Sequence, residues 1–226
     1  MLKAYLEFLC SLQLNPHLAQ IKSFEADLKG ALNPSKLLNK LFFVQNRWLN
    51  FDAFFDFYWK KHQALLKDRF STLNEQELLR GLRARLYRTQ CGILTEYQAF
   101  LGAQAVFGNE NVHRSIELDQ KGVDFSITHQ ESYYHIHIFV DTQRAWHYRK
   151  YKSAYKQVES AEGIHVDLPY SLKNDRINSL YYLPNGFGVY TPAYLRYLQQ
   201  EIYSDNLLRF SVKGVNEQGF IYKSIY

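Results

Sequence analysis

Cysteine, methionine and proline are scarce here: 2 Cys, 1 Met and 5 Pro in 226 residues. Cys10 and Cys91 fall in separate helical stretches with no metal-ligand spacing, so no disulfide framework or thiolate zinc site is expected. They read as free, buried thiols of a protein from a reducing, cytoplasmic setting. A run of about 18 apolar residues is missing, so the chain is expected to be soluble, with no membrane partner. The opening MLKAYLEFLCSLQL interrupts its apolar positions with Lys3, Glu7 and Gln13. That makes it an amphipathic helix and not a signal peptide. Repeats, low-complexity tracts and long linkers are absent too. Nor does one sign of charge dominate. Lys and Arg number 27 against 22 Asp and Glu, a net +5 that is compatible with a polyanionic partner without requiring one.

Aromatic residues are abundant: 18 Tyr, 16 Phe and 3 Trp. A chain this long buries about 70% of its unfolded surface and needs no staple. Its first half carries helical periods. Leu2, Tyr5, Leu6, Leu9 and Leu12 space one helix, and FDAFFDFYWKKHQALL (51–66) a second. Thr72 and Glu75 have capping-box spacing before a third, which Leu78, Leu79, Leu82 and Leu86 extend toward Val106. Past Gly108 the period becomes two. GVDFSI (122–127) and YYHIHIFVD (133–141) alternate around HQES, a hairpin turn. GIHVDLPY (163–170) and GFGVYT (186–191) follow as strands, and Thr191 with Pro192 starts a helix. The end, FSVKGVNEQGFIYKSI, reads as a hairpin. The order implies a mixed α/β (α+β) fold, a central mixed sheet flanked by helices. The expected division is a helical part at 1–70 and a core at 71–226, with one continuous domain as the alternative.

Several segments carry candidate chemistry. In ELDQKGVDF (117–125), Asp119 and Asp124 flank a turn at Gly122 that feeds a strand. They are either carboxylate ligands for a hard cation or turn residues making Asx hydrogen bonds. On the next strand His135, His137, Phe139 and Asp141 share one face, open to a metal role or to plain solvation. TQRAWHYRKYKSAYKQV (142–158) holds Arg144, Arg149, Lys150, Lys152 and Lys156 and no acid. It reads as a surface that tracks phosphates or as a solvated face. Arg80, Arg83, Arg85 and Arg88 on the long helix, with Glu96 beyond them, suit either structural pairing or phosphate contact.

In one collinear order these blocks resemble the TaqI family of restriction endonucleases, which are nucleases of the PD-(D/E)XK type. The likeness is carried by LLRGLRARLYRTQCGILTEY (78–97), ELDQKGVDF, IHIFVDTQR (136–144), IHVDLPYSL (164–172) and NGFGVYTPAYLRYLQQ (185–200). FDAFFDFYWKK (51–61) is similar to the family's preceding aromatic helix. The resemblance implies a restriction-endonuclease-like fold and a homodimer on a short palindrome of double-stranded DNA, typically TCGA. It also implies Mg²⁺ and a companion methyltransferase encoded nearby. By motif position Asp124 takes the family's metal-binding aspartate and Asp119 its acidic neighbour, and Asp124, Asp119 and Asp141 are the expected metal ligands. His137, Asp141 and, more weakly, Glu96 complete the catalytic set, and Arg144, Arg149, Lys150, Lys152 and Lys156 contact DNA.

One departure stands out. Where the family strand has Gln and two Lys, this chain has His137, Phe139 and Val140. The lysine orients water and stabilises developing phosphorane charge, and Phe139 can do neither. Three explanations are open. Lys121 or Lys150 reaches the site, His135 or His137 serves as base or ligand, or the chain binds DNA without cutting it.

Overall fold

The computed structural model describes residues 1–22, 28–147, 163–173, 178–204 and 210–211. Contacts divide the chain into two units. One is made of Lys3–Tyr97 with Pro184–Phe187, and the other of Met1–Leu2, Gln98–Leu183 and Gly188–Tyr226.

The first unit is helical. It contains α1 (Leu2–Ser11), α2 (Pro16–Gln20), α3 (Pro34–Asn39), a π-helical turn (Lys40–Val44), α4 (Phe51–Arg69) and most of α5 (Glu75–Phe107). Apolar spacing decides which faces are buried. Tyr5 and Leu9 of α1, and Phe54, Tyr58 and Leu66 of α4, are fully covered. Tyr97 sits among aromatic rings, with Tyr5 and Phe43 each 4.8 Å away and Phe42 at 5.8 Å. Cys10, next to buried Leu9 on α1, is exposed, contrary to the expectation of a buried thiol. The side-chain amide of Asn185 donates to the Leu9 and Leu12 carbonyls at 2.7 and 2.9 Å, closing the end of α1.

The cap of α5 differs from the expected one. Asn74, and not Thr72, receives the Glu77 amide at 2.9 Å, while Glu77 answers at the Asn74 amide at 3.3 Å. The reciprocal capping box therefore begins two residues later, on the better N-cap residue type. Three arginines of α5 have partners within the helical unit. Arg83 pairs with Asp52 at 3.0 Å and covers the Phe55 ring at 3.9 Å, Arg85 donates to Thr89, and Arg88 donates to the Ile21 carbonyl. For these three, structural pairing is the reading that the structure supports.

The second unit holds the mixed sheet. Its strands are β1 (Val112–His113), β2 (Phe125–His129), β3 (Ser132–Val140), β4 (Ile164–Tyr170) and β7 (Phe210–Ser211). They lie side by side in the order β1-β2-β3-β4-β7. β1, β2 and β3 are antiparallel neighbours, whereas β4 runs parallel to both β3 and β7. A two-residue turn joins β2 to β3, with Gln130 at φ 46° and Glu131 at φ 64°. Left-handed values at both positions match the twist of a hairpin. β5 (Leu180–Tyr182) and β6 (Gly188–Tyr190) form a separate antiparallel pair, and Thr191 caps α7 (Pro192–Tyr203).

Period-two alternation splits the large sheet into two faces. Phe125, Ile127, Tyr134, Ile136, Val166 and Leu168 pack with Ala99, Ala103 and Phe107 of α5 and Tyr194, Leu195 and Leu198 of α7. Small residues on α5 allow the two helices to approach, since a Cβ on Gly102 would lie 2.6 Å from Leu195. The polar residues of the strands go to the other face. The mixed α/β architecture thus agrees with the sequence. Among the described residues, no helix is long and apolar enough to cross a membrane. The expected C-terminal hairpin falls outside the described residues except for Phe210–Ser211, which pair parallel to β4.

Candidate active site

The site face is built by register. Phe125 faces Ile136 across the β2–β3 ladder, which sets Asp124 and Ser126 on one side of the sheet with His137 and His135. On the parallel side His135 is level with His165 and His137 with Asp167, which brings β4 to the same polar face. Three imidazoles and two carboxylates therefore share one surface of three strands.

The carboxylates hold separate partners. Asp119 lies in α6 (Ile116–Gln120), a short helix capped by Ser115, and its Oδ1 is 2.8 Å from an Arg114 nitrogen. The same guanidinium donates to the backbone carbonyl of Asp124. Arg114, to which no sequence motif points, thereby fixes the turn between Asp119 and Asp124. Gly122 has φ 77°, the left-handed turn its residue type suggested. The Asp124 carboxylate accepts from the Ile138 amide, while its own amide donates to the Ile136 carbonyl at 2.9 Å. Asp141 lies one residue past β3, is only 9% exposed, and accepts from the Trp146 indole at 2.6 Å. Trp146 stands edge-on to Phe139 at 4.8 Å, so an aromatic pair fills the place where the resemblance implies a lysine.

The histidines are not a solvated strand face. His135 and His137 are 3% and 5% exposed. The His135 Nδ1 is 2.7 Å from the Ser126 hydroxyl. The His137 Nδ1 is 2.7 Å from the Gly122 carbonyl, and its Nε2 is 2.8 Å from the His165 Nδ1. His137 and His165 rings lie 12° from parallel. Beneath Asp141, Tyr194 donates to the Pro169 carbonyl at 3.0 Å. Burial drives the Tyr194 hydroxyl far above the ordinary phenol range, and the Asp141 charge and then Tyr197 add to this.

Mg²⁺ demands a near-octahedral shell of oxygens. Asp119 is tied to Arg114, Asp141 to Trp146 and Asp124 to the Ile138 amide. Among the described residues no three His, Cys, Asp or Glu side chains converge where an ion could be held. As arranged, the three carboxylates do not fit a shared Mg²⁺. Glu96 is half-buried on α5 and belongs to the helical unit. Lys121 lies 3.9 Å from Glu117. Arg144 is exposed in a helical turn at 143–147, which Thr142 caps. Arg149, Lys150, Lys152 and Lys156 lie outside the described residues.

Comparison with known proteins agrees with the motif reading. The model of the TaqI restriction endonuclease family matches residues 2–178. The type II restriction enzyme TthHB8I of Thermus thermophilus is 25% identical over 231 residues, covering 88% of this chain and 86% of that protein. The type II restriction enzyme TaqI of Thermus aquaticus is 26% identical with the same coverage. No solved structure gave a significant match. A match across most of the chain, through both the long helix and the polar face of the sheet, makes this protein a member of the TaqI restriction endonuclease family.

Proposed function

We propose that the chain is a type II, site-specific DNA endonuclease that hydrolyses phosphodiesters in a short palindrome, with TCGA as the candidate sequence. The observation carrying this is the family match over residues 2–178, which takes in Asp124 and all of β3. Asp124 and the residues beside it on the polar face, His137 and His165 among them, form the hydrolytic site. Arg144, Arg149, Lys150, Lys152 and Lys156 hold the DNA backbone, and each neutralised phosphate releases counterions. Two subunits related by a two-fold axis read the two half-sites of the palindrome. Such an enzyme works in the cytoplasm beside a methyltransferase that protects host DNA. Mg²⁺ is the cofactor that the resemblance implies, although the carboxylates as arranged do not converge on an ion.

Incubating plasmid DNA with the protein in Mg²⁺, in Mn²⁺ and in a chelator tests the reading. Discrete fragments ending at one sequence are expected, and Asp124→Ala should abolish them while the fold survives. Full cutting by Asp124→Ala would remove that residue from the site.

A second reading has its own observation. Phe139 packs against Trp146, and Trp146 in turn occupies Asp141. A protein that binds DNA without cutting it is what such a substitution would leave. Tight, salt-dependent binding to a TCGA duplex, with no fragments under any metal, selects this reading over the first.

A further inference from the structure

With both rings neutral, hydrogen-bond chemistry gives the His137–His165 pair a direction. A carbonyl oxygen only accepts, so the Nδ1 of His137, 2.7 Å from the Gly122 oxygen, must carry a proton. In a neutral ring its Nε2 is then the unprotonated nitrogen. It accepts from the Nδ1–H of His165 across 2.8 Å. That leaves the Nε2 of His165 as the basic nitrogen of the pair. Burial is graded the same way, because His137 is 5% exposed while His165 is only partly buried. His135 has a different partner at one nitrogen. Its Nδ1 is held by Ser126, and its Nε2 lies where a Cβ on Gly163 would come within 2.7 Å.

We infer that His165 is the general base of this nuclease and His137 the residue that positions it, together standing in for the lysine that Phe139 has replaced. This rests on the endonuclease reading above. By register both histidines lie on the sheet face that carries Asp124, His137 on the strand beside it and His165 one strand further. The step balances simply. A water oxygen forms its bond to phosphorus while one water proton moves to the Nε2 of His165. The bond from phosphorus to one deoxyribose oxygen breaks, and that oxygen takes a proton from solvent. The imidazolium of His165 shares its Nδ1 proton with His137, whose other nitrogen stays anchored on Gly122, and then returns the extra proton to solvent. Neither ring needs to turn.

The experiment measures single-turnover cleavage, duplex affinity and melting temperature for the wild type, His165→Ala and His165→Gln. A positioned base is worth about 10²- to 10⁴-fold in rate. The cleavage rate of His165→Ala should fall by that factor, with duplex affinity unchanged, and free imidazole in the buffer should restore part of it. His165→Gln, which keeps a polar side chain at that place, should stay as slow. ¹⁵N spectra of the free wild-type protein should show His137 protonated at Nδ1, whatever the variants do. Full-speed cutting by a folded His165→Ala, loss without imidazole rescue, or a His137 protonated only at Nε2 would each overturn the assignment and leave the nuclease reading standing. A wild-type protein that binds the duplex and never cuts it overturns both.

Discussion

At the scale of single residues, glycine positions give the cleanest tests, because two glycines of this chain face opposite constraints. Gly163 precedes β4 with φ 144°, and a Cβ there would meet the Tyr133 carbonyl at 2.6 Å and His135 Nε2 at 2.7 Å. The first obstacle is backbone in the neighbouring strand and cannot rotate away. Gly163→Ala should therefore cost about 1–3 kcal/mol, combining left-handed strain with displacement of His135. Gly92 lies inside α5 with an ordinary helical backbone, and a methyl group added to it would meet nothing within 4 Å. Gly92→Ala should stabilise the helix by about 1 kcal/mol. Urea midpoints measured side by side check both signs. A neutral Gly163→Ala would mean that β4 does not lie against Tyr133 as described.

At the scale of elements, the β2–β3 hairpin invites a gain of stability. Its turn uses Gln130 and Glu131 in left-handed conformations that L-residues with long side chains adopt at a cost. Glu131→Gly should relieve about 1 kcal/mol and raise the melting temperature. A lower temperature would show that the turn is held by its side chains and not by its backbone. This hairpin was legible in the sequence, because strict alternation on both sides of HQES fixes strands and turn together. Local signals likewise located α4, α5, β4 and the Thr191–Pro192 start of α7. Thr72 misled because two overlapping segments satisfy the same capping spacing, and Asn74 won on residue type. The site was legible only in part. Alternation put His135, His137 and Asp141 on one face, but pairing His137 with His165 needs the β3–β4 register. That register joins segments 28 residues apart and leaves no local trace. Arg114 was invisible for a similar reason, since nothing in its neighbourhood tells a buried guanidinium from a solvated one.

At the scale of the whole molecule, the abundance of tyrosine has a consequence for alkaline stability. Tyr58 is fully buried and donates to the Leu32 carbonyl, and burial raises its hydroxyl from 10.0 to about 12, slightly offset by the charge of Arg85. Tyr5 and Tyr97 are raised for the same reason, Tyr87 reaches about 12, and Tyr194 is raised in the sheet unit. The Cys91 thiol is pushed by burial from 9.0 to about 12. In each case the folded state keeps its proton at a pH where the unfolded chain has lost it. Below about pH 8 both states are protonated and these groups leave stability unaffected by pH. Between the unfolded and folded values the unfolded chain binds fewer protons, so stability falls as pH rises. Each fully buried tyrosine contributes a slope of up to about 1.4 kcal/mol per pH unit in that window. Several acting together should unfold the protein cooperatively before about pH 12. The urea midpoint should hold level from neutral pH to about 8 and drop steeply beyond about 10, with phenolate absorbance and helical circular dichroism changing in one step. Tyr58→Phe should make the descent shallower, even though loss of its hydrogen bond lowers the plateau. Smooth ionisation of all tyrosines near about pH 10, with the helical signal intact, would mean that these hydroxyls are not shielded from water.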